Sequence, residues 1–500
     1  MVHNDALWLV RLARLFDTLN EQGIRYCHWK SNCNLDRSMQ GLTDLDLLVD
    51  RSHSQRFREI LCQYDFKPVL SSTPMRYPAI EDYLGFDRAK GCLIHLHVHY
   101  QLILGEQYVK NYHLPLEQSF LDSSHTYSGI KIASPEMEVI VLAIRALLKY
   151  RDRDVVRGIF SARHRELPAG TLKEFEYLLS QTTLDSISDV VKSQVKFVSP
   201  DILLEFLTAL QTKVKPAFLI YRLRNRLRRE LAPFQRYGRP YATFKSFRAD
   251  ASRRWRKFAR QSQAGGKKTM MSGGLRIAIV GADGAGKSTV VHELARWLSW
   301  KLEVCTNYMG SRHPSAIAHI SGWMSQVSGM AYRACSAVIG EENARPLYQA
   351  RSLLHGLHLI AIGRDRYYRY LAGQRRASQG ALVIYDRYPL EGARVAAWYM
   401  DGPRIASTYA DNIKGTLAAM ARMEQGIYQR IRPPDHLVIL HISPDVSFKR
   451  KPQHRRQMIE AKSQALRQFD WESLPTTEID ANQPLDQVLL QAKAVVWDLL

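Results

Sequence analysis

"IAIVGADGAGKSTVV", residues 277–291, decides how the second half of this chain is read. Four apolar residues run up to Gly281, and from Lys287 onward the spacing becomes helical, so the pattern is strand, tight loop, helix. Glycines at 281, 284 and 286 let main-chain N–H groups turn inward, and the following helix adds its free amides and its dipole. Gly281-x4-Gly286-Lys287-Ser288 is the spacing of a phosphate cradle in the strand–helix context such a loop requires. The expected nucleotide contacts are Gly281, Asp283, Gly284, Ala285, Gly286, Lys287, Ser288 and Thr289. Lys287 is expected to reach the β- and γ-phosphates of ATP and Ser288 to hold Mg²⁺.

Three further stretches belong with this loop. "LVIYDRYP" (382–389) ends an apolar strand in Asp386 and Arg387, at the carboxyl edge where α/β sheets bind ligands; Asp386 is a candidate for the metal's water shell. "LIAIGRDRYYRYLAGQRR" (359–376) carries Arg364, Arg366 and Arg369 within about one and a half helical turns, a spacing that suggests one phosphate-clamping face. "SPDVSFKRKPQHRRQM" (443–458) clusters Lys449, Arg450, Lys451, Arg455 and Arg456. A basic lid of this kind can close over a phosphoryl group and exclude water. Further strand-like runs at 381–386, 436–442 and 476–481, separated by helix-length segments, argue for a parallel α/β sheet covered on both faces.

Together these pieces resemble the thymidylate kinase branch of the nucleoside-monophosphate kinases over about 275–500. That family has an acid before the second loop glycine, as Asp283 is here. It also has an acceptor-phosphate arginine about 20 residues before an Asp-Arg-aromatic motif, as Arg366 stands before Asp386-Arg387-Tyr388. "EIDANQPLDQV" resembles its last strand. The family then continues with a Ser-rich, Tyr-Gln segment that reads the base, where this chain has "PLEGARVAAWYM". The resemblance thus implies ATP- and Mg²⁺-dependent phosphoryl transfer to a nucleoside monophosphate or another phosphorylated acceptor. It gives catalytic roles to Lys287, Asp386, Arg387, Arg366 and the lid residues Arg450, Arg455 and Arg456, with Arg364 as an alternate for Arg366.

A second stretch, "GLTDLDLLVD" (41–50), reads as a buried strand interrupted by two carboxylates. Side chains i and i+2 of a strand face the same way, so Asp44 and Asp46 project together while Leu45 and Leu47 enter a core. Two carboxylates so close favour a cation between them, and hard oxygen ligands suit Mg²⁺. "WKSN" lies upstream, with Ser31 13 residues before Asp44. The pair resembles the nucleotidyltransferase superfamily of the DNA polymerase β-like enzymes, over about 20–130. There a Gly-Ser turn precedes Asp-x-Asp and a later strand adds a third carboxylate. Here Lys30 replaces the glycine, and "LIHLHVHYQL" (93–102) offers His95, His97 and His99, with His97 in the third acid's place. A zinc site from Cys27, His28, Cys33 and these histidines is a further alternative.

Composition sets the frame. Five hundred residues, 46% apolar and 24% charged, predict two or more soluble domains. The expected division is 1–130, nucleotidyltransferase-like α+β; 131–212, a helical extension; 213–272, a basic connector; and 273–500, an α/β phosphate-loop domain. Six scattered cysteines and an N-terminal helix carrying Arg11 and Arg14 suggest a reducing cytoplasm, with peripheral attachment at the inner membrane as an extension of that reading. The net charge of +22 is concentrated between Lys213 and Lys268, where 18 Lys/Arg face only Glu230 and Asp250. That segment reads first as a solvated or domain-docked linker, with an anionic membrane surface, and nucleic acid below it, as the functional readings. Kinase-like domains joined to nucleotidyltransferase-like ones resemble proteins of bacterial extracellular polysaccharide synthesis. A non-catalytic nucleotide sensor and a membrane-surface adaptor are the alternative functions.

Overall fold

A computed structural model of the chain describes residues 8–106, 109–150, 167–212, 217–258, 267–311, 314–389, 394–395, 398–410, 413–453 and 456–500. It divides into two units, Met1–Gly266 and Lys267–Leu500.

In the second unit the apolar runs at 277, 382, 436 and 476 all become strands. The five-stranded sheet has the order Val304–Tyr308, Leu382–Asp386, Leu275–Gly281, His436–His441, Thr476–Asp480, and every neighbouring pair is parallel. Successive strands lie first on one side of Leu275–Gly281 and then on the other, so the strand order reverses at its carboxyl end. That is where an open α/β sheet leaves a crevice. The edge strand Val304–Tyr308 carries no apolar run, and none of its residues is fully buried. Helices Lys287–Leu298, Arg345–Ser378 and Leu485–Leu499 pack against the sheet.

In the first unit, strand Leu45–Val49 lies between Tyr26–His28, antiparallel, and Cys92–His99, parallel; Ile80–Asp87 follows, antiparallel to Cys92–His99. Alternation splits the central strand between two cores. Leu45, Leu47 and Val49 pack with Leu12, Phe16, Leu96 and Val98, whereas Leu48 joins Trp29, Phe120 and the helices. Asp46 shares the Leu48 face. Helix Pro135–Lys149 starts as its sequence dictates: the Ser134 side chain accepts from Met137 N, and Pro135 takes the first helical position.

The first helix of the basic segment is docked and not solvated. Leu223, Leu227 and Leu231 are fully buried in the same core as Ile140, Ile144 and Phe206, so helix Ala217–Glu230 is part of the first unit's helical packing. Residues 239–258 form one helix, since 241–258 contain neither Gly nor Pro. None of the helices among the described residues is long and apolar enough to cross a membrane.

Candidate functional sites

The glycine loop of the second unit leaves the central strand at Gly281. Gly284 and Gly286 have φ of +86° and +84°, a region costly for any side-chain-bearing residue. A Cβ on Gly284 would also come within 2.9 Å of Ser447 Oγ. Ser447, fully buried on helix Pro444–Arg450, donates its hydroxyl to the Asp283 carbonyl. Lys287 folds back on the loop, donating to the carbonyls of Gly281 and Ala282 at 2.9 and 2.7 Å. Burial, reinforced by nearby Arg387, pushes its pKa down to about 8.

Ser288 Oγ donates to Asp386 Oδ2 at 2.6 Å, while the buried Asp386 Oδ1 has no hydrogen-bond partner. A hydroxyl beside a carboxylate with an oxygen to spare is the donor set a hard divalent cation takes, so the pair fits Mg²⁺.

Around the loop runs a chain of opposite charges. The Asp283 carboxylate receives Lys462 Nζ and Arg387 Nη2. Burial alone would raise its pKa, but Lys462, Lys287 and Arg387 hold it well below the usual carboxylate range. Arg387, in a left-handed conformation at φ +69°, also reaches Asp401 Oδ2 at 3.5 Å, and Asp401 contacts Arg366. A strained non-glycine residue tied by two carboxylates is a typical feature of a preorganised site.

The three arginines of the long helix do not share a face. Arg364 is exposed and stacks on Tyr368. Arg366 is only 2% exposed and donates to Tyr428 OH and the Asp401 carbonyl, both at 2.6 Å; its Nε is buried without a partner. Arg369 donates to the carbonyls of Tyr308 and Gly310. The two-residue step from 364 to 366 turns about 200° around a helix, which separates them. Of the lid residues, Arg450 is exposed and approaches the Gly284 carbonyl at 3.4 Å, whereas Arg456 is paired with Asp445 and Glu460. Thr289 is exposed on the first turn after the loop, and Arg455 lies outside the described residues. Ser447, Lys462 and Asp401 were not singled out from the sequence. No motif marks them; only the packing of three later segments around the loop brings them in.

In the first unit, register places Asp82, His97 and Asp46 side by side across three strands. His97 Nδ1 lies 2.7 Å from Asp82 Oδ1, which His95 Nε2 also approaches at 3.1 Å; His95 Nδ1 lies 3.0 Å from Asp44 Oδ1. Lys30 Nζ sits 2.8 Å from Asp46 Oδ1 and, against the effect of burial, holds that carboxyl below its ordinary pKa. The histidine face therefore does have an acid nearby: Asp82, on strand Ile80–Asp87, which the sequence reading passed over. Its sequence "IEDYLGFD" lacks the apolar alternation of a recognisable strand.

Two carboxylates shape the "WKSN" turn. The buried Glu138 accepts from Asn32 N at 3.0 Å and Asn32 Nδ2 at 2.7 Å, and burial lifts its pKa to about 7. Glu174 accepts from Ser31 Oγ, and Ser31 takes a φ of +60°. Beyond them stand crowded cations. Burial and Lys30 push Lys110 down to about 7, and Lys30 and Arg145 both stand over the Trp29 ring. Cys27 is buried in a hydrophobic cluster and does not join the metal-competent groups, which among the described residues are Asp46/His97/His99 and Asp82/His95/His97.

The chain matches no family model. It is 28% identical over 221 residues to the uncharacterized ATP-binding protein YghS of Escherichia coli K12, covering 43% of this chain and 88% of that protein. It is 25% identical over 229 residues to the uncharacterized ATP-binding protein YghR of the same strain, covering 44% and 86%. Among solved structures it aligns with a deoxyadenosine kinase from M. mycoides with bound dATP, at 14% identity and a TM-score of 0.28, over 44% of this chain and 98% of that one.

Proposed function

We propose that the second unit is an ATP- and Mg²⁺-dependent kinase of the nucleoside-monophosphate type, acting on a phosphorylated acceptor. The observation that carries this reading is the Ser288–Asp386 pair, with its spare carboxylate oxygen, beside a glycine loop at the sheet's crevice. The two relatives named as ATP-binding proteins support the nucleotide part.

In this reading the loop amides and the helix start hold the triphosphate. Lys287 leaves the Gly281 and Ala282 carbonyls and swings to the β- and γ-phosphates, regaining a full positive charge there. Ser288 and Asp386 would hold Mg²⁺, which would supply charge neutralisation at the phosphates. Arg387 is kept in place by Asp283 and Asp401, and Arg450 stands over the loop, so cations surround the phosphoryl group in transit. Arg366, buried against Tyr428 and Asp401, supports the acceptor side from the interior by holding Asp401 in place. ADP release from a panel of phosphorylated acceptors tests the proposal, with Lys287→Ala as control. Equal turnover in the two proteins refutes it, and tight ATP binding without acceptor-dependent ADP release favours a nucleotide sensor.

For the first unit we propose a nucleotide-handling role on the polymerase β-like plan, with Asp44 and Asp46 facing Mg²⁺. The gathering of Lys30 and Arg145 over Trp29, with Lys110 close enough to feel Lys30, supports it, because like charges this close are relieved by a polyanion. The membrane-surface reading narrows to helix Arg239–Phe258, where Tyr241, Phe244 and Phe247 are exposed among Lys245 and Arg248. Salt-sensitive binding to anionic vesicles, lost on substituting those aromatics, is the outcome it requires.

A further inference from the structure

Strand alternation sets His97 and His99 on one face of Cys92–His99, and register sets Asp46 beside His97. One donor atom from each of the three lies within 4.8 Å of the others. His99 is 1% exposed, and neither ring nitrogen has a hydrogen-bond partner. Leaving a buried polar group unsatisfied costs about 1–3 kcal/mol. The ring is wedged edge-on against Trp29 and His97, with centroids at 5.0 and 4.5 Å, so packing fixes it in place.

Asp82 completes the arrangement without being a ligand. It takes the Nδ1 proton of His97, which leaves Nε2 as that ring's free lone pair. A carboxylate behind a metal-binding histidine fixes its tautomer and raises its basicity. Asp82 is already shared by His95 and His97, so the alternative group around it is better read as the support of the first.

We propose that Asp46, His97 and His99 form a binding site for a late first-row divalent cation such as Zn²⁺, with one coordination position left for an anionic ligand. Two imidazoles and one carboxylate select such an ion over Mg²⁺, which favours all-oxygen ligands. Three protein donors leave a zinc ion's fourth position open. Lys30, at Asp46 Oδ1, stands where a phosphate or carboxylate on that position would be met. The proposal does not rest on the kinase reading. It shares Asp46 with the nucleotide-handling reading of the first unit, and metal titration without nucleotide separates the two.

The test is titration of the chelator-treated full chain with Co²⁺, followed by optical absorption, and displacement by Zn²⁺. The expected result is one equivalent bound with visible bands of nitrogen and oxygen ligation, not displaced by millimolar Mg²⁺. His99→Gln and His97→Gln should each weaken binding at least 30-fold, and Asp82→Asn by about tenfold, the lower end of the effect of removing a ligand's supporting carboxylate. Lys287→Ala should bind as the wild type does. Absence of stoichiometric Co²⁺ in the wild type overturns the proposal. So does an intense near-ultraviolet sulfur charge-transfer band, which would assign the metal to the cysteines, and so does unchanged affinity in both histidine variants. The wild-type stoichiometry and spectrum need no substitution, so a variant that fails to fold leaves the proposal exposed.

Discussion

The two candidate sites are built in opposite ways. In the second unit the nucleotide loop is a single run of nine residues, Gly281–Thr289, and its geometry follows from glycine conformations and one helix start. In the first unit the site is a row across three strands, and no two of Asp46, His97 and Asp82 are near in sequence. A contiguous site is written in local chemistry. A dispersed site is written in register, which exists only once the sheet has formed. The first should fail by losing a contact, and the second by losing its fold.

The largest effect tests the contiguous site. Lys287→Ala should lower phosphoryl transfer about 10³-fold, the scale of removing a preorganised charge from a water-poor site. The melting temperature should change little, since the lysine's present partners are two loop carbonyls. Steady-state ADP release and calorimetry together check this. A variant that loses activity by unfolding would erase the contrast between the units.

Next comes a substitution in the dispersed unit. Leu227 is fully buried among the helices behind the Asp46 face. Leu227→Ala should destabilise the first unit by about 2–5 kcal/mol through lost burial and a residual cavity. ATP should still raise the melting temperature of the second unit. A free linker would tolerate the change, so an unaltered melting profile would restore the connector reading of 213–231.

How much was legible follows the same division. The strands at 277, 382, 436 and 476 and the glycine loop were readable, because each is a local pattern of apolar period or glycine spacing. Asp82 was not, because Glu81, Asp82 and Gly85 disguise a strand whose acids meet Arg58, His95 and His97 from other elements. The shared face expected of Arg364 and Arg366 failed for a simpler reason: positions two apart on a helix point away from each other. Lys462 and Ser447 became visible only when their helices closed over Asp283.

A smaller effect probes that closure. Asp283→Asn keeps the shape of the side chain but removes the charge shared by Lys462 and Arg387. The loss should be about 2 kcal/mol, in the range for hydrogen bonds to charged groups. The pH dependence has a fixed sign. The folded-state pKa lies below the unfolded value, so the stabilisation is present above the ordinary carboxylate range and is lost as pH falls below about 4. Wild type and variant should therefore converge in stability at acid pH. Parallel curves down to pH 3 would show that Asp283 is not the group holding the two cations.

The smallest effect is a titration that ranks the two units. Burial and Arg387 place the ligand-free Lys287 near 8, and burial and Lys30 place Lys110 near 7. A polyphosphate binds the charged lysine. Above each pKa the protein must take up a proton to bind, and affinity falls by up to about tenfold, or 1.4 kcal/mol, per pH unit. ATP affinity at the glycine loop should thus hold to about pH 8 and decline beyond it. Lys287→Arg, which stays charged, should bind with a flat profile through pH 9. An anion bound at the first unit should begin to weaken about one unit earlier, near pH 7, and Lys110→Arg should remove that step. Calorimetry in two buffers of different ionisation enthalpy measures the proton uptake directly. If the two midpoints came in the reverse order, the crowding of cations around Asp46 would not be what sets the first unit's affinity for anions.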